Sequence, residues 1–338
     1  MSSAPTAAEI AADARWLAQA LDPQARLVRL IAMDVDAYRA ASFLDDRMLQ
    51  QPVKAHVLPW SEIAAAMPES ARQDARWIFH IGHVGSTLVA RLLGELSGVL
   101  AVREPRLLRD LTAVGEGERA GMAPTVQQLM SRTFGPEQAA LVKATSFVSE
   151  IAPELVAPGG RALFMFATPR AYIEGILAGE NSRKELAILA PVRAERMRGR
   201  LPELVGASSS EAHLAAAAWS CEMTGIEAAA ERMGDRQLMW ADFDRMLGDM
   251  EAALARVAAF FGFDAPPEKL REIVSGPLMR RYSKAMEYEY SPGLRRDLLA
   301  QARRESGAEM DSALAMLDKA SAESPLLARA LARSGMET

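Results

Sequence analysis

Cysteine is almost missing from this chain: 338 residues include one, Cys221, so no internal disulfide can form. An excess of positive charge is missing too, since the formal net charge is −5, which removes the basic footprint of a nucleic-acid binder. No stretch approaches the roughly 20 apolar residues of a membrane span. Met1 to Ala14 has no basic segment followed by an apolar core, so a cytoplasmic location is expected. His80, His83, His213 and Cys221 lack metal-ligand spacing, and no metal is expected. There is no internal repeat, and abundant alanine is the single compositional bias. What remains is half hydrophobic and a quarter charged, ample for one large α/β domain or for a domain with a helical extension.

The most informative stretch is Trp77-Ile78-Phe79-His80-Ile81-Gly82-His83-Val84-Gly85-Ser86-Thr87-Leu88. It reads as a buried strand, a glycine turn and a helix start. Gly82 and Gly85 let the backbone fold close around an anion, and Ser86 and Thr87 open a helix whose first N–H groups have no intrahelical partner. Leu88, Val89, Leu92, Leu93 and Leu96 make one apolar face before Gly98. Gly82 to Thr87, with His83 and Val84 inside it, is thus an anion-binding candidate. A nucleotide-triphosphate loop would carry a lysine after its last glycine, where this chain has Ser86, so kinase chemistry is the weaker reading.

Further strands are expected at 99–105, 139–145, 161–168 and 237–244, alternating with helices as a parallel sheet requires. Glu104 ends the strand at 99–105. In open parallel sheets ligands sit outside the carboxyl ends of strands, so Glu104 and the loop should share a crevice. Glu104 is read either as a general base or as a cap for the helix after Pro105. Lys143 ends the third strand and either faces the anion or is solvated. Residues 6–70 are expected to be mostly helical, with Ala14–Leu21 and Leu27–Ala41 carrying the periodicity. Within them, Ser42 to Arg47 reads as a local ion pair or cap. Trp219 and Cys221 are expected in the core.

The loop residues His80-Ile81-Gly82-His83-Val84-Gly85-Ser86-Thr87-Leu88-Val89-Ala90-Arg91-Leu92-Leu93 resemble those of sulfotransferases that use 3′-phosphoadenosine 5′-phosphosulfate, with His83 in the basic position. The Glu104-Pro105 pair is similar to the family's acidic base after the second strand. At 167–175 the family commonly shows R-x-P-R-x-x-x-x-S, whose first arginine and serine hold the donor's 3′-phosphate. This chain keeps Pro169 and Arg170 but has Ala167 and Gly175 there. Asp242, Asp244 and Phe260-Phe261-Gly262 resemble the family's late architectural segment, and Arg280, Arg281 and Lys284 resemble its basic closing loop.

The resemblance implies an α/β fold with a P-loop-type central parallel sheet over 71–338, preceded by an N-terminal helical extension over 1–70. It implies sulfuryl transfer from a 3′-phosphoadenosine 5′-phosphosulfate donor to an unidentified hydroxyl or amine, with Glu104 and His83 catalytic. Arg170, Arg280, Arg281 and Lys284 would replace the missing 3′-phosphate contacts. Two other readings stay open: a divergent phosphotransferase, and a nucleotide- or partner-binding module without chemistry.

Overall fold

The computed structural model of the chain describes residues 4–50, 52–206, 210–280 and 292–335. Three N-terminal strands, β1 (Trp16–Asp22), β2 (Leu27–Ala32) and β3 (Ala55–Pro59), form an antiparallel sheet in the order β1-β2-β3. This corrects the expected helical extension. Ala14–Leu21 and Leu27–Ala32 are apolar at nearly every residue, and such short runs fit a two-sided buried strand as well as a helix. The turn between them decides the matter. Asp22 Oδ1 accepts the N–H groups of Gln24 and Ala25 at 3.0 and 2.9 Å, and Arg26 at φ 53° reverses the chain into a hairpin. Of the second run, Val35–Ala40 is helical, capped by Asp34, whose Oδ1 accepts the Ala37 N–H at 2.7 Å.

The remaining strands are β4 (Arg76–His80), β5 (Val99–Arg103), β6 (Ala139–Lys143), β7 (Arg161–Phe166) and β8 (Gln237–Asp242). They pair in parallel in the order β5-β6-β4-β7-β8, with helices in the connections. The fold is therefore α/β around a five-stranded parallel sheet. β4 lies at its centre, and the chain visits β5 and β6 on one side before crossing to β7 and β8. That reversal leaves a crevice at the carboxyl end of β4, where open sheets bind ligands.

Both faces of the central strands are buried, as their unbroken apolar runs require. Trp77 and Phe79 stack at 5.7 Å along β4, and edge-to-face contacts continue through Phe164 on β7 to Trp240 on β8. One continuous apolar core joins this sheet to the N-terminal one. Helices Pro292–Ser321 and Pro325–Gly335 pack on the buried helix Glu211–Glu231, which holds Trp219 and Cys221 in the core. Burial pushes the Cys221 thiol up to about 12, so it is inert as a nucleophile at neutral pH. Among the described residues, no helix is long and apolar enough to cross a membrane.

Candidate functional site

Between β4 and helix Ser86–Leu93 the backbone takes three left-handed steps, at Gly82 (φ 83°), His83 (φ 55°) and Gly85 (φ 61°). Turns of this kind gather successive amides into a concave anion cradle. The Val89 N–H donates to Gly85 O at 3.0 Å, and the amides of Ser86 to Leu88 before it begin the helix without intrahelical acceptors. Thr87 is 2% exposed, and its Oγ1 has no hydrogen-bond partner among the described residues. An unsatisfied buried hydroxyl costs about 1–3 kcal/mol, which makes this atom a candidate contact for a ligand oxygen. His80 Nδ1 accepts the Gly82 N–H at 2.9 Å, which places the proton of the neutral ring on Nε2.

Gly85 has a second constraint. A Cβ there would lie 1.9 Å from the Phe243 ring, so packing as well as φ requires glycine. Gly85→Ala is expected to destabilise the fold by about 1–3 kcal/mol, with Phe243→Ala in the same chain relieving part of the clash. Urea midpoints measure this, and an unchanged midpoint for the single variant would mean that the loop relaxes freely. Gly85 is accordingly a poor probe of ligand binding, whereas Thr87→Val is a suitable one.

The floor of the crevice is an ion cluster. Glu104 follows β5 with φ 55°, and its backbone N–H donates to Lys143 O at 2.7 Å. Its carboxylate accepts from Lys143 Nζ and, at 3.2 Å, from Arg47 Nη2, while His80 Nε2 lies 3.9 Å away. Lys143 is 1% exposed, which excludes the solvated strand-end alternative. The helix Arg106–Asp110 has no side-chain capping hydrogen bond, so Glu104 makes none to it. A cavity of about 560 Å³ brings Glu104, Lys143 and His80 together with Gly82 to Thr87. Thr145 also lines it, and its Oγ1 is buried without a partner among the described residues.

His83 lines the same cavity, held toward helix Glu180–Met197 by Ser182 Oγ at 3.3 Å and Glu185 Oε2 at 3.5 Å. Arg170 stands apart: it is exposed and bonded to Asp311 at 2.7 Å. Arg280 is exposed at the end of a short turn of helix, Pro277–Arg280, packed on Ser86–Leu93, and is not among the cavity's lining residues. Arg281 and Lys284 lie outside the described residues. Ala167 is buried, with its carbonyl taken by Trp219 Nε1 at 2.9 Å, and a Cβ on Gly175 would meet open space. Asp242 caps helix Phe243–Gly248, accepting the Asp244 and Arg245 amides at 2.8 and 3.2 Å, and burial raises its pKa. Among the described residues, no group of three or more His, Cys, Asp or Glu could hold a metal ion.

Sequence reasoning missed the contribution of Phe43, Asp45 and Arg47 to this cavity. Arg47 does pair with Asp45, as expected, but it also stacks 3.3 Å from the Phe43 ring centroid and reaches Glu104. Two buried arginines hold the segment in place. Arg103 donates to the carbonyls of Tyr38, Arg39 and Ala41, and Arg91 donates to Ser42 Oγ at 2.6 Å. Burial, and then the nearby Arg91 charge, lower the Arg103 pKa to about 9 against an opposing pull from Glu95. The available signal was an arginine inside each of two apolar runs, since buried guanidiniums need several acceptors.

No family model matches this sequence, and no curated protein matches it. Among solved structures it is similar to a sulfotransferase domain from the curacin biosynthetic pathway, at 11% identity and TM-score 0.42 over 70% of this chain and 99% of that one. It is also similar to a sulfotransferase domain from the Synechococcus PCC 7002 olefin synthase, at 17% identity and TM-score 0.38 over 70% and 90%. A mouse sulfotransferase complexed with PAP matches at 10% identity and TM-score 0.35 over 73% and 89%.

Proposed function

We propose that the chain is a sulfotransferase-type enzyme that moves a sulfuryl group from a 3′-phosphoadenosine 5′-phosphosulfate-type donor to a hydroxyl or amine. The observation that carries this reading is the glycine loop, with a Thr87 hydroxyl that has no partner among the described residues, opening onto the same cavity as the Glu104–Lys143 pair. The acceptor oxygen or nitrogen attacks sulfur as the bond from sulfur to the bridging phosphate oxygen breaks. Glu104 takes the acceptor proton. Charge developing on the transferred group and the leaving phosphate is met by the loop amides, Thr87, His83 and Lys143. Lys143 thereby supplies from β6 the cation that the loop itself lacks.

A module that binds nucleotide without transfer is the second reading, favoured by Ala167 and Gly175, which present neither charge nor hydroxyl where the resemblance expects both. Thermal shift separates the readings in part. A donor product at about 100 times its dissociation constant stabilises by roughly 2.7 kcal/mol, so 3′-phosphoadenosine 5′-phosphate should raise Tm by several degrees, and Thr87→Val should lose most of that shift. ATP with Mg²⁺ should give less. If the shifts are equal for 3′-phosphorylated and unphosphorylated nucleotides, the donor is not of this type. Binding without any turnover supports the module.

A further inference from the structure

We propose that the acceptor is an alcohol or amine carried on an apolar chain or ring rather than on a carbohydrate; this rests on the transfer reading above. Helix Glu180–Met197 contributes Asn181, Lys184, Glu185, Ile188 and Leu189 to the cavity wall. Their spacing of three and four residues places them on one helical face. That face changes character along its length. Its first turn is polar and engaged, with Lys184 paired to Glu180 at 2.6 Å and Glu185 to His83 at 3.5 Å. Its next turn is aliphatic, and Ile188 is 73% exposed.

Ile188 is not part of the core, because this helix buries Leu186, Arg193 and Met197 on its other side. Val192, one turn further on, is 49% exposed and continues the aliphatic stripe beyond the cavity. Phe43 and Phe147 provide apolar surface elsewhere on the lining. A sugar bound along this wall would lose water from its hydroxyls without gaining partners, since Ile188, Leu189 and Phe147 have no side-chain donors or acceptors. An aliphatic or aromatic body loses nothing there. Its hydroxyl or amine would reach the polar floor at Glu104, Lys143 and Thr145, and the volume of about 560 Å³ is in the range of small-molecule sites.

The test uses the whole chain and primary alkanols from butan-1-ol to octan-1-ol. Burying one methylene corresponds to about a fourfold gain in affinity, so calorimetric affinities should climb by that factor per CH₂ until the wall is covered. Ile188→Ser, at an exposed position, should keep the wild-type Tm and the affinity for 3′-phosphoadenosine 5′-phosphate while flattening the series, so that octan-1-ol binds at least fourfold more weakly. A flat wild-type series, hexoses binding more tightly than octan-1-ol, or an unaltered series in Ile188→Ser would each overturn the acceptor class. The alkanol series needs no donor. If it rises while 3′-phosphoadenosine 5′-phosphate fails to bind, the apolar acceptor wall stands and the donor reading falls; the reverse pattern removes only the acceptor class.

Discussion

Glu104→Gln is expected to lower turnover by about 10²–10⁴-fold, with any acceptor the wild-type chain uses, while donor binding stays within about twofold. The carboxylate lies in the same cavity as the anion cradle, and the substitution removes proton acceptance while preserving shape. The amide oxygen of glutamine still accepts from Lys143, which limits structural damage. Steady-state rates, together with binding of 3′-phosphoadenosine 5′-phosphate, separate a chemical from a structural effect. Full turnover in the variant would remove Glu104 as the base and move the search to His83 in the same cavity, since the neutral His80 ring carries its proton on Nε2. Equal losses of donor binding and turnover would instead mark Glu104 as the positioning partner of Lys143.

Lys143→Met should be the most destabilising of the substitutions considered, at about 3 kcal/mol. Removing one partner of a buried ion pair typically costs about 3–5 kcal/mol, because the other charge is left uncompensated. Arg47 still reaches Glu104 at 3.2 Å, which places the expectation at the lower end. The double variant Lys143→Met, Glu104→Gln removes both charges and should recover more than half of the loss. Urea unfolding of the wild type, both single variants and the double variant measures the coupling. Additive losses would mean that the pair contributes nothing as a pair. Turnover should fall in every variant lacking Lys143, because the ammonium that it holds at the cavity floor is lost.

The five parallel strands and the loop after β4 were legible because each rests on local chemistry. Unbroken apolar runs mark strands covered on both faces, and two glycines before Ser86 mark a turn into a helix. The left-handed φ at Gly82 and Gly85 is what that spacing asks of the backbone. The strand position of Glu104 was equally local. Its partners were not, because β5 meets β6 only through the sheet, and Lys143 stands 39 positions further along the chain. The hairpin at Asp22–Arg26 was lost to an ambiguity of period, since short runs that are apolar at most positions fit either a strand or a helix.

By itself the sequence determined an α/β chain with one glycine turn from a strand into a helix and an acid at the next strand end. Tertiary structure alone decided that Glu104 is clasped by Lys143 and Arg47, that Arg103 and Arg91 pin residues 38–42 beside the crevice, and that Arg170 is turned away toward Asp311. The reason is physical. Periodicity and turn chemistry act over a few residues and are written locally, whereas the pairing of buried charges depends on which strand ends the sheet order makes neighbours.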